Sequence, residues 1–329
     1  MNIGYIGGFW ATNIGNSFYN IGMMKLLKSV SDENSVHFIP DPPQVNWAGL
    51  TGDYSIISKL NIDLYIISGP ILGYELERIY SNIFDQIKQK GGKIAFISAG
   101  AVEYSQAEAD SVASFLNQYD VPFVFTRDSQ TYDLYKDKLN THVYDGLCTS
   151  MFLKDAVIPP DIDDEYVVTN FPYWHEPVLT NLDKKWIVKK SIFLPRQDQI
   201  LGMPVVRLQS EGIIPNIRFF KTEKFLYTRN NMYYSDLPNG YLSILKSAKI
   251  IFSDRVHTCA AGLILGSSCM YIKGQRRSKD GRNNIFLRLG LHDIFERPVA
   301  LDMSYIESEK KIMKNELADA LHAIELQNN

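Results

Sequence analysis

The sequence is short of cysteine, and the three residues it has, Cys148, Cys259 and Cys269, are an odd number with no metal-like spacing. That excludes a disulfide framework and points to a reducing compartment, so cytoplasm is expected. Long apolar runs are missing too. None approaches the ~18 residues of a membrane span, and Met1 to Tyr5 lack the basic region and apolar core of a secretory signal, so membrane contact is expected to be at most peripheral, at the inner membrane face. A basic surplus is also missing: the net charge is −3, which argues against nucleic acid as a partner. No His/Asp/Cys cluster suggests a metal. No dinucleotide fingerprint or P-loop follows the N-terminal glycines, which removes NAD and ATP as expected ligands.

A length of 329 residues suits two domains better than one, and hydrophobic residues at 45% and charged residues at 22% are ordinary for folded protein. Aromatics are the excess. Nineteen Tyr and seventeen Phe suit stacking on a sugar or nucleotide, although amphipathic packing accounts for most of them.

Short apolar runs alternate with helical periods, the pattern of βα units building a parallel sheet. Strands are expected at residues 3–7, 36–39, 64–68, 93–98, 123–126 and 141–144. Helical stripes run through Ile14, Phe18, Ile21, Leu26 and Val30, and through Ile79, Ile83 and Ile87. The Pro- and Asp-rich stretch 158–164 marks a boundary. The expected division is an N-terminal domain at 1–158, a C-terminal domain at 165–303 and a closing helix at 304–329 that packs back on the first domain. Strands of the second half are expected at 166–170, 191–194, 218–221, 249–253 and 269–272, with helices near 239–247 and 257–265. In the closing helix Ile312, Leu317, Leu321 and Ile324 form the apolar set.

Five segments can carry chemistry. The loop from Gly7 to Asn16, with Asn13, Gly15 and Asn16, joins the first strand to the first helix, where backbone N–H groups suit an anion; a plain Asn-capped turn is the other reading. Ser98 and Gly100 end the fourth strand, and Ser68-Gly69 end the third, as small residues lining a cleft floor or as simple structure. Arg127 ends the fifth strand, to grip a carboxylate or phosphate in a bidentate fork or to pair with Asp128. Asp145 ends the sixth, to bind a sugar hydroxyl or to cap a turn.

Ser253-Asp254-Arg255-Val256-His257 is the fourth segment and the most informative. A strand runs into it and a helix of small residues leaves it. In an extended loop Arg255 and His257 face the same way. Histidine donates and accepts protons near neutral pH, and the arginine supplies charge for an anion. The fifth segment, 273–282, carries five basic residues including Lys279 and Arg282, as a diphosphate or head-group clamp or as a solvated charged loop.

The order and type of these segments resemble the polysaccharide pyruvyl transferase family: Asn13-Ile14-Gly15-Asn16, Ser98-Ala99-Gly100, Thr126-Arg127-Asp128-Ser129, Asp145-Gly146, and Ser253 to His257 before an Ala/Gly-rich helix. The resemblance implies two Rossmann-like domains in a GT-B-type arrangement around a deep interdomain cleft. It implies phosphoenolpyruvate as donor substrate with no cofactor, a carbohydrate acceptor bearing two hydroxyls, a pyruvate ketal as product, and a place in polysaccharide or exopolysaccharide biosynthesis for the cell envelope. By position, Arg127 would hold the donor's carboxylate or phosphate and His257 would be the general acid/base. Asn13, Gly15, Asn16, Ser98, Gly100, Arg255, Lys279 and Arg282 complete the expected substrate-binding set. A homo-oligomer is compatible with this picture. Two features depart from the family pattern: the basic 273–282 loop stands where many members have an Asp-Pro-Lys-type sequence, and Phe171 to Glu176 match no part of it. Two other functions share the fold: a glycosyltransferase using a nucleotide sugar, and a non-catalytic glycan or nucleotide binder. The presence of both Arg127 and His257 counts against the binder.

Overall fold

A computed structural model describes residues 1–8, 13–30, 34–40, 59–171, 199–208, 231–233, 235, 237–273 and 281–328. The sequence-expected strands at 191–194 and 218–221, the 171–176 motif beyond Phe171, and Lys279 lie outside them.

The first sheet takes strands β1 (Asn2–Gly7), β2 (Ser35–Pro40), β3 (Leu64–Leu72), β4 (Lys93–Ala101), β5 (Phe123–Thr126) and β6 (His142–Tyr144). Their order is β2-β1-β3-β4-β5-β6, and every pairing is parallel. The intervening helices are α1 (Gly15–Val30), α2 (Glu75–Gln89), α3 (Gln106–Leu116) and α4 (Ser129–Tyr135), followed by the short α5 (Leu153–Ala156). Covered on both faces, the strands read as apolar runs whose side chains still alternate. Ile3, Tyr5, Leu64, Ile66, Ala95, Ile97, Phe123 and Phe125 face α1, whereas Ile6, Tyr65, Ile67, Ile94, Phe96 and Val124 face the core of α2 and α3.

The second sheet takes β7 (Val167–Asn170), β8 (Gln199–Ile200), β9 (Met203–Leu208), β10 (Met232–Tyr233), β11 (Ile250–Ser253) and β12 (Ser268–Tyr271). Its order is β10-β9-β7-β11-β12 in parallel, with β8 antiparallel on β9. The chain leaves β7 toward β9 and later returns on its other side as β11, which puts the switch in strand order between β7 and β11. Strand β9 escapes the sequence pattern because Pro204 cannot donate to a ladder. It sits at the strand's start, before Val205 pairs with Val167. Helices α6 (Pro238–Ser247), α7 (Val256–Leu265), α8 (Asn284–Arg288) and α9 (Met303–Asn328) complete this half.

One hydrophobic cluster runs from the α1 face of the first sheet through α6 and α7 to α9, so the two sheets share a core. Gly22 of α1 makes a close approach possible there: a Cβ on it would lie 1.8 Å from the Thr149 carbonyl oxygen. In α9 the buried stripe is Ile306, Lys310, Met313, Leu317, Leu321 and Ile324, whereas Ile312 is exposed. The expected set was off at one position, because spacings of three and four carry the stripe through 313. Lys310 joins α9 to the first half. Its Nζ donates to Asp155 at 2.7 Å and to Glu307 at 2.9 Å and sits 5.5 Å from the centre of the Phe152 ring. All three cysteines are buried and free. Among the described residues no helix is long and apolar enough to cross a membrane.

Candidate functional site

Each wall of the site is set by a strand end. The four residues of β5 are fully buried, and the Arg127 N–H continues its pairing by donating to the Ala99 carbonyl at 3.0 Å. Asp128 then caps α4, accepting from the Thr131 N–H at 2.8 Å. Arg127 is 2% exposed, its guanidinium lying against Gly100, where a Cβ would come 2.1 Å from Nε. Its Nη2 donates to the Tyr104 hydroxyl at 3.3 Å, and its Nε lies 3.6 Å from Asp128 with no hydrogen-bond partner. Burial opposes the charge, but Tyr104 and Asp128 outweigh it, so the guanidinium stays a cation.

The second wall is built at the β7/β11 switch. Ser253 Oγ donates to the Asn170 carbonyl at 3.1 Å and accepts from the Arg255 N–H at 2.9 Å. Thr258 Oγ1 donates to Asn170 Oδ1 at 2.7 Å. These bonds fix the loop and the first turn of α7. Arg255 is the N-cap residue in extended conformation, and no side chain caps the helix. The helix begins one residue earlier than the sequence suggests, which brings Val256 and Thr258 to the site beside His257. Arg255 is buried, with Asp254 Oδ1 3.2 Å from its Nε.

The third wall is the start of α1. Asn13 Oδ1 accepts from the Gly15 N–H at 2.9 Å, and a Cβ on Gly15 would lie 3.3 Å from His257 Cβ. Glycine there lets α1 and α7 meet.

Together Asn13, Gly15, Arg127, Arg255, Val256, His257, Thr258 and Arg282 line one pocket. Six sequence-expected residues therefore converge: Asn13, Gly15, Arg127, Arg255, His257 and Arg282. Three others stand outside the lining. Asn16 lies beside Gly8. Ser98 is the residue at which β4 slips register against β5, its φ is +57°, and its Oγ accepts from the Thr149 N–H at 3.1 Å. Gly100 contributes the room that Arg127 occupies. Asp145 lies outside the lining as well, accepting from Ser129 Oγ at 2.8 Å and facing Arg288 Nε at 3.2 Å.

Burial first, then the charges of Arg127 and Arg282, hold His257 down at about 3 from an ordinary 6.5. With that proton affinity the imidazole is neutral at physiological pH, a base rather than an acid. Its ring stacks at a tilt on Tyr19. Tyr19 and Tyr104 both escape sequence reading, because neither belongs to a local motif.

The polysaccharide pyruvyl transferase family model matches residues 13–273, from the Asn13 turn to the end of the second sheet. The chain belongs to this family. No curated protein matches it in sequence. A Listeria monocytogenes protein assigned as a UDP-N-acetylglucosamine 2-epimerase is similar over 95% of this chain and 94% of its own, with a TM-score of 0.51 at 10% identity. The UDP-GlcNAc 2-epimerase of Methanocaldococcus jannaschii, in complex with UDP-GlcNAc and UDP, aligns over 98% and 92% at a TM-score of 0.48 and 11% identity. The E. coli heptosyltransferase WaaC with ADP aligns over 84% and 88% at 0.40 and 9%. The parallel strand order of the two sheets, with only β8 antiparallel, and the likeness to the Listeria protein make the fold α/β of the GT-B type. At such identities the likeness speaks for fold alone.

Proposed function

We propose that the protein transfers the pyruvyl group of phosphoenolpyruvate to two hydroxyls of a glycan or glycan precursor, closing a pyruvate ketal. The observation that carries this is the convergence of His257 with Arg127, Arg255 and Arg282 in one small pocket. Such a donor is an anion with a carboxylate and a phosphate, and guanidinium forks suit both. The uncapped first turn of α7 adds N–H groups and the positive end of the helix dipole.

The low proton affinity of His257 fits a switch made by the substrate. Burial is the first cause of the neutral ring and the guanidinium field the second; a bound anion offsets the second, so the proton affinity of the imidazole rises as the donor arrives. The imidazolium then protonates the donor's methylene carbon. One acceptor hydroxyl adds to the carbon bearing the phosphate, phosphate leaves, and the second hydroxyl closes the ketal. Of the two hydroxyl protons, one restores the imidazolium and the other leaves with phosphate.

The test is incubation with phosphoenolpyruvate and carbohydrate acceptors, following phosphate release and the appearance of the ketal methyl group by proton NMR. Thermal stabilisation by phosphoenolpyruvate is expected alongside, since a ligand of the folded state raises its melting temperature. Stabilisation by nucleotide sugars alone, with no phosphate released, would replace this proposal with glycosyl transfer.

A further inference from the structure

Tyr104 stands in left-handed backbone at φ +56°, which a bulky residue adopts only where its surroundings hold it. Glu108 holds it. That carboxylate is 1% exposed and accepts from the N–H groups of Val102 at 3.1 Å, Glu103 at 2.9 Å and Tyr104 at 3.2 Å. Ser105 caps α3 by accepting from the Glu108 N–H at 3.2 Å. A short turn after β4 is thereby locked so that the phenol reaches Arg127.

The hydroxyl of Tyr104 accepts from Arg127 Nη2 at 3.3 Å and donates to Asp128 Oδ2 at 3.0 Å. Burial foremost keeps the phenol protonated, as the bond to Asp128 requires. The ring meets the second half of the chain: a Cβ on Gly281 would come 2.3 Å from Tyr104 Cδ2 and 2.4 Å from Cε2. Gly281 directly precedes Arg282, which lines the pocket. One side chain thus binds the arginine of the first sheet by its hydroxyl and seats the residue before an arginine of the second half by its ring.

We propose that Tyr104 is a positioning residue that sets Arg127 and Arg282 at the separation needed to grip one anion between them. The proposal rests on the anionic-donor reading of the pocket. An aromatic needed for packing alone could be Phe; the hydroxyl lies between a buried guanidinium and a buried carboxylate, where its loss would let the fork turn. The glycine is equally specific, since any side chain at 281 strikes the ring and displaces Arg282 with its turn.

The experiment measures affinity for phosphoenolpyruvate and for inorganic phosphate by calorimetry, with donor KM and kcat from phosphate release. Tyr104→Phe is expected to raise Kd and KM for the donor about five- to tenfold with kcat within about twofold, the mark of lost anion positioning. Gly281→Ala should do the same in the wild-type background and add little once Tyr104→Ala has removed the ring, a non-additivity that reports the contact itself. Strict additivity, or wild-type anion affinity in Tyr104→Phe, overturns the proposal. If Gly281→Ala fails to fold, Tyr104→Phe decides alone. Should the wild type bind phosphate and not phosphoenolpyruvate, the donor assignment fails while Tyr104 is judged on phosphate; binding of neither overturns both.

Discussion

The rings of Tyr19 and His257 lie 4.9 Å apart between centroids and tilt by 51°, so helix α1 of the first half buttresses His257 of the second. Tyr19 is buried, and its hydroxyl passes Gly8 so closely that a Cβ there would lie 1.9 Å from it. This apolar wall excludes water from one face of the imidazole. It is one part of the burial that is the first cause of the low proton affinity of His257.

That affinity makes stability depend on pH in a defined direction. An unfolded histidine takes a proton below about 6.5, whereas His257 in the fold stays neutral down to about 3. Protons therefore favour the unfolded chain across this interval, and stability falls as pH drops through it. Urea unfolding at stepped pH should show a shallower decline in His257→Gln than in wild type; parallel slopes would refute the assignment. NMR of labelled histidine should show the His257 midpoint rising when phosphoenolpyruvate is added.

In turnover, His257→Ala is expected to lose about 10²- to 10⁴-fold in kcat, the usual worth of a general acid/base, with donor affinity largely kept. Phosphate release at the wild-type rate would remove His257 from the chemistry.

Arg127→Lys keeps the charge and loses the planar fork that Gly100 and Tyr104 hold in place. Donor KM should rise about 10- to 100-fold. A KM equal to wild type would mean that Arg127 acts as a point charge or not at all.

Gly22→Ala tests the packing of α1 on the 149–152 turn. Alanine is the better helix former, yet its methyl would sit 1.8 Å from a backbone carbonyl that cannot rotate away. A net loss of about 1–3 kcal/mol in denaturant unfolding is expected from overpacking. Increased stability would show that the two segments can separate without cost.

Lys310→Ala removes a buried ammonium between Asp155, Glu307 and the Phe152 ring. The expected loss is about 2–3 kcal/mol. Lys310→Met fills the same space, and both carboxylates are partly exposed, so it should cost less than half as much. Equal unfolding midpoints for wild type and Lys310→Ala would show that α9 is not fastened here.

Local physics made much of this protein legible in its residues. Apolar runs of strand length separated by helical periods specify a parallel α/β fold, because both faces of each strand must be covered. Arg127 and the Arg255–His257 segment stand out as polar strand ends, Arg127 reading equally as an anion grip or as a partner of Asp128, which lies 3.6 Å from it in the fold. Other assignments could be made only by contacts distant in sequence. Ser98 and Gly100 read as cleft floor or as simple structure; in the fold one is a register slip that holds Thr149 and the other is the space Arg127 fills. Tyr104 and Gly281 stand 177 positions apart and belong to no motif, and β9 hides behind its proline. Periodicity reports which face of an element is apolar. What that face meets is decided when two sheets close on one core, and Arg127, Arg255, His257 and Arg282 share one pocket only after that closure.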